Sequence, residues 1–132
     1  MADKKVDDKR KKAADWGRLG EKITCEYLIG KGFPITETNW RCGNRLEIDI
    51  ISQQNDVMVF VEVKTRSGKH ESAESAINEN KIKQIVRAAN AYLKQLDRPF
   101  YARFDVALIE GTKEDYEFTY IENAFIPPLI SR

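Results

Sequence analysis

The segment from Val57 to Thr65 constrains the fold of this 132-residue chain more than any other. As a strand it puts Val57, Val59, Val61 and Val63 on one face, and Met58 and Phe60 on the other, ahead of Glu62 and Lys64. A strand that is apolar on both faces has to be covered on both, so it reads as the buried centre of a sheet. Before it, Leu46 to Ser52 alternates, with Leu46, Ile48 and Ile50 on one side and Glu47, Asp49 and Ile51 on the other. Gln53-Gln54-Asn55-Asp56 has the composition of a turn, so the two runs predict a hairpin.

The remaining elements supply the covering layers. From Asp15 onward Leu19, Ile23, Thr24, Tyr27 and Leu28 recur at helical spacing, and Gly30, Gly32 and Pro34 end that helix near Lys31. Phe33 to Trp40 reads as an edge strand, where a proline at the start is tolerated. Ser67 to Glu79 is small and polar, a loop that leads into a helix over Lys81 to Leu96. That helix has Ile82, Ile85, Val86, Ala89, Leu93 and Leu96 on one face, and Lys83, Arg87 and Lys94 opposite. Tyr101 to Ile109 and Tyr116 to Ile121 read as two more strands about a turn at Gly111, and Pro127-Pro128 ends the fold. The predicted class is α/β, in the order α-β-β-β-α-β-β, with one central mixed sheet flanked by helices.

Charge divides the chain. Residues 1–14 carry six basic and three acidic side chains, whereas the rest carries 16 basic and 18 acidic ones. Residues 1–14 therefore read as a charged, mobile N-terminal tail, and residues 15–132 as a single domain. A body this close to neutral cannot hold nucleic acid through bulk charge, so any such site has to be local. The apolar run Val57 to Val61 is too short to cross a bilayer, and the first residues lack the apolar core of a secretory signal. With no membrane expected, the cytoplasm is the expected location. His70 is the only histidine, and Cys25 and Cys42 have no partners at metal spacing, which argues against zinc sites and histidine-based triads.

Chemistry concentrates in the hairpin. Register brings Asp49 across from the neighbourhood of Glu62, and Lys64 shares a face with Glu62. A carboxylate at the end of so apolar a strand loses water and needs a compensating charge. Two readings remain open on spacing alone. One is a cross-strand ion pair, such as Glu47 with Lys64. The other is a divalent-metal site in which Asp49 and Glu62 give hard oxygen ligands, the Val63 carbonyl adds a third, and Lys64 serves an attacking water or a developing phosphate charge. No glycine-rich phosphate loop is present.

The pattern of Asp49, Glu62 and Lys64 resembles the D…(D/E)-x-K core of the restriction-endonuclease-like nuclease superfamily. A closer likeness is to the YraN family of small bacterial proteins. Its motifs stand here as Gly17-Arg18-Leu19-Gly20-Glu21, Asn39-Trp40-Arg41, Glu47-Ile48-Asp49-Ile50-Ile51, Val59 through Arg66, Lys81, Arg103-Phe104-Asp105-Val106 and Asn123-Ala124-Phe125. One departure is Leu46, where that family usually has glycine.

The resemblance implies a restriction-endonuclease-like core similar to archaeal Holliday-junction resolvases, with Mg²⁺ or Mn²⁺ as cofactor. It implies catalytic roles for Asp49, Glu62, Lys64 and Glu21, and a metal shell of Glu21, Asp49, Glu62 and Val63. Arg18, Arg41, Arg66 and Lys81 are the expected nucleic-acid contacts. Hydrolysis of DNA phosphodiesters, on branched, single-stranded or otherwise non-regular DNA, is the implied activity, and a homodimer the implied assembly. The alternative from another class is a non-catalytic nucleic-acid-binding or adaptor protein that retains the fold. Asp105 reads as structural, and Trp16 and Trp40 as packing residues before base-stacking ones.

Overall fold

The computed structural model describes residues 2–68 and 77–127. The order is α1 (Ala2–Gly30), β1 (Glu37–Cys42), β2 (Leu46–Gln54), β3 (Val57–Arg66), α2 (Glu79–Lys94), β4 (Tyr101–Gly111) and β5 (Tyr116–Ile121). The strands form one sheet in the spatial order β1-β2-β3-β4-β5, antiparallel throughout except for the parallel pair β3 and β4 that α2 connects. The fold is α/β, with the expected element order and β3 at the centre. Part of the expected loop (residues 69–76) and Pro128 lie outside the described residues.

Each face of β3 builds one core. Val59 and Val61 pack with Leu28, Ile50, Ala107 and Ile109 beneath α1. Met58 and Phe60 pack with Ile48, Ile51, Phe104 and the α2 residues Ile85, Val86, Ala88, Ala89 and Tyr92. The predicted apolar face of α2 is thus the one that meets the sheet, with Ala88 and Tyr92 added to it.

Three local differences from the sequence reading have physical causes. First, α1 starts at Ala2 rather than Asp15, so residues 2–14, read as a charged tail, form its opening turns. Their exposed positions 7–14 carry six charged residues and two alanines, which no apolar periodicity would mark. Second, the first strand begins at Glu37, not Phe33. Phe33 N–H is bonded back to the Leu28 carbonyl at 2.8 Å and Gly32 has φ +87°, so the chain is still closing the helix there. Third, Ile48 does not share a face with Ile50. It packs with Ile51 beneath α2, whereas Ile50 packs beneath α1. The strand alternation slips at Asp49, where the hairpin ladder has just ended at Ile50 opposite Val61. On the other side of β2, Asn39 takes a left-handed φ of +51°.

Candidate active site

The slip at Asp49 builds the site. Beyond the last ladder pair, Val63 N–H donates not to a β2 carbonyl but to Asp49 Oδ2, at 2.8 Å. Asp49 is therefore turned in against β3, next to Glu62. The N–H and C=O of one strand residue point to the same edge, so the Val63 carbonyl also faces the β2 side.

Glu62 has only 12% of its side chain exposed, and its Oε1 lies 3.5 Å from the ammonium of Lys81. Lys81 stands in the first turn of α2. Its backbone N–H donates to Oδ1 of the N-cap Asn78 at 2.8 Å, which fixes where the helix starts. A helix from the opposite layer brings in Glu21. Gly20 is buried, and a Cβ on it would lie 2.4 Å from Thr65 Cγ2, so only glycine lets α1 approach β3 this closely. The next residue, Glu21, accepts from Asn39 Nδ2 at 3.2 Å.

Burial dominates the electrostatics. It pushes the Asp49 carboxyl up to about 6, with Glu21 and Glu47 adding to the rise while the Val63 N–H and Lys81 oppose it. Glu62 is pushed up to about 8, first by burial and then by Asp49, against the pull of Lys81. Two acids, of which Asp49 hinders the ionisation of Glu62, with a half-exposed lysine as their main cation, form a site short of positive charge. Among the described residues no three His, Cys, Asp or Glu side chains are grouped closely enough to hold an ion alone. Asp49 and Glu62 would need the Val63 carbonyl and water to complete a shell.

The other expected residues are distributed differently. Lys64 is exposed and borders an open groove of about 1190 Å³ that β3 enters beyond Glu62. Arg66 lines the same groove, and its carbonyl accepts from Trp16 Nε1 at 3.3 Å. Arg18 forms an exposed ion pair with Asp15, and Arg41 another with Glu47 at 3.6 Å. Lys81, expected as a nucleic-acid contact, is the cation at Glu62. Asp105 is fully buried and accepts from Arg103 at 2.8 Å, Tyr120 Oη at 2.6 Å and the Asn123 N–H at 3.0 Å. That saturated arrangement is structural. Trp40 meets Tyr92 edge-on within the α2 layer.

Asn39 is the site residue that sequence reasoning did not single out by role. Its signal was its type, since asparagine tolerates a left-handed φ better than most residues.

The geometry stands beside a sequence relationship. The model of the uncharacterised protein family UPF0102 matches residues 20–109, which spans Gly20, Glu21, Asn39, Asp49, Glu62 and Lys81. The chain belongs to UPF0102. Among its relatives, a UPF0102 protein of Phocaeicola vulgatus is 34% identical over 116 residues, covering 87% of this chain and 95% of the relative. One from Bacteroides thetaiotaomicron is 40% identical, covering 86% and 93%. Another, from Chlorobaculum parvum, is 42% identical over 124 residues, covering 86% and 95%. The UPF0102 match therefore takes in both strands of the hairpin, the whole of α2 and residues 20–30 of α1.

Proposed function

We propose that this UPF0102 protein is a restriction-endonuclease-like nuclease that hydrolyses DNA phosphodiesters with Mg²⁺ or Mn²⁺, on branched or otherwise non-regular DNA. The observation that carries the reading is the largely buried Asp49–Glu62 pair at the opened end of the hairpin. Apolar strands do not keep two carboxylates side by side unless a cation, a metal ion or a bound proton compensates them. Hard oxygens from Asp49, Glu62 and the Val63 carbonyl fit a divalent ion that keeps several waters. When bound, such an ion supplies positive charge at a phosphate and acidifies water.

The chain's own residues have separate parts in this reading. The Val63 N–H orients the Asp49 carboxylate. Asn39 donates to Glu21, whose charge acts on Asp49 and which would serve as an assisting carboxylate. Lys81 is the cation that stands beside Glu62. Lys64, two residues along β3, would order water or a phosphate oxygen. A second reading, a binding protein that retains the fold, is favoured by one observation. The cation against Glu62 is Lys81, while the lysine of the E-x-K pattern borders the groove.

A cleavage assay with Mn²⁺ or Mg²⁺ on single-stranded, duplex, flapped and four-way-junction DNA separates the two, with Asp49→Ala run in parallel. Metal-dependent cleavage that is lost in Asp49→Ala is the expected result. Absence of cleavage on every substrate, with equal DNA binding by both proteins, overturns the nuclease reading in favour of the binding one.

A further inference from the structure

The groove that Lys64 and Arg66 border is separate from the carboxylate pair, since neither Asp49 nor Glu62 lines it. It lies between α1, the end of β3 and the β4–β5 turn, and measures about 1190 Å³. Lys64 and Arg66, two and four residues beyond Glu62 along β3, both line it. Their Cα atoms are spaced by about 6.6 Å per pair of residues, the scale on which an extended polyanion repeats its charges.

Two further lysines face this line from other elements, Lys12 from α1 and Lys113 from the β4–β5 turn. The acids on the walls are fewer. Asp15 is already paired with Arg18, which leaves Glu114 against four cations. Trp16 forms part of the wall. Its indole N–H is tied to the Arg66 carbonyl and its ring meets Tyr116 edge-on, with centroids 6.0 Å apart, so it is a half-buried aromatic held in one orientation.

We propose that this groove is the track for an unpaired nucleic-acid strand, with Lys12, Lys64, Arg66 and Lys113 on its phosphates and Trp16 beside a base. The inference deepens the nuclease reading and rests on it for the direction of the strand, since the phosphodiester to be cut would sit at the Glu62 end. Cations along a channel with a fixed aromatic beside them is the combination that suits single strands, whose bases are free to stack. An acidic peptide would use the cations but has no ring to set against the indole.

The test uses the full chain in EDTA, so that cleavage cannot interfere, with a fluorescein-labelled twelve-residue oligothymidylate as probe. Wild type is expected to bind it more tightly than a duplex of the same length. The Lys12→Ala/Lys113→Ala double variant should lose on the order of tenfold in affinity at low salt. Its log–log salt dependence should be shallower by about 1.4, or about 0.7 for each phosphate contact removed. Emission from Trp16, isolated in the Trp40→Phe protein, should be quenched by the oligonucleotide. Unchanged affinity and salt dependence in the double variant overturn the proposal, and so does polyglutamate bound as tightly as the oligonucleotide. A protein that binds in this way but cuts nothing would refute only the nuclease reading.

Discussion

The backbone N–H of Val63 donates to Asp49 Oδ2 at 2.8 Å, so a side chain takes the place of the next rung of the β2–β3 ladder. That substitution keeps a buried carboxylate against the centre of the sheet and frees the strand edge where Glu62 stands. The consequences are measurable without knowing the substrate.

The first concerns pH. Glu62 has its pKa raised in the folded protein, so the folded state holds a proton that the unfolded chain has released. Metal-free stability should therefore be greatest below about pH 4.5, as far as this group is concerned. It should fall as pH rises towards about 8 and level off above that. Glu62→Gln should remove most of this slope and be more stable than wild type at pH 8.5, by at least about 1 kcal/mol. Urea unfolding at several pH values in EDTA measures it, and a Glu62→Gln profile parallel to wild type would show that the carboxylate is solvated.

Divalent ions should act in the opposite sense. Mg²⁺ or Mn²⁺, bound to the folded state as proposed, should raise the melting temperature by mass action, and more at pH 8 than at pH 6, where protons compete for the same oxygens. Asp49→Ala should show no such increment. Thermal scans with and without the ion check both statements, and an equal increment in Asp49→Ala would place the ion elsewhere.

Lys81 is 42% exposed, so its ion pair with Glu62 is partly screened. Lys81→Met should cost about 0.5–1 kcal/mol at pH 8.5 and less at pH 5.5, where Glu62 is protonated and the pair is gone. A loss independent of pH would assign the effect to packing of the lysine stem.

Gly20→Ala tests how closely α1 sits on β3. Helix propensity alone favours alanine by about 1 kcal/mol. The new Cβ would instead meet Thr65 Cγ2 at 2.4 Å, and Ile109 Cδ1 and Val63 Cγ1 stand just beyond. The expected net result is a loss of about 1–3 kcal/mol, partly recovered in the Gly20→Ala/Thr65→Ser double variant. Stabilisation by the single change would mean that the helix sits further from the sheet.

Asp105→Ala should be the most damaging of these substitutions, at about 3 kcal/mol or more, because it strands the Arg103 guanidinium and the Tyr120 hydroxyl together. Chemical denaturation gives the value. A loss below about 1 kcal/mol would show that water replaces the carboxylate readily.

Much of this molecule can be read from its periodicity. Val57 to Thr65, apolar on both faces, marks the central strand, and the stripe from Ile82 to Leu93 marks the face of α2. What periodicity does not carry is departure from it. Ile48 and Ile50 look equivalent in sequence, yet they pack in different layers because alternation slips at Asp49. The polar opening of α1 is equally silent, since exposed helical turns have no apolar rhythm to detect. Asp49, Glu62 and Val63 meet because hairpin register is local. The pairing of Lys81 with Glu62 depends on the N-cap at Asn78 and on a parallel crossover, which no local pattern encodes.

The spatial order of the strands repeats their order along the chain, and that has a kinetic consequence. Asp49 and Val63 are 14 residues apart and joined by a short turn at Asn55-Asp56, so the contact between them closes on the timescale of a hairpin, about microseconds. Lys81 reaches Glu62 only after the slower crossover has docked a helix on the sheet. In a refolding chain the two acids thus meet before their cation arrives, and acidic buffer, which protonates them, should speed the earliest phase of folding.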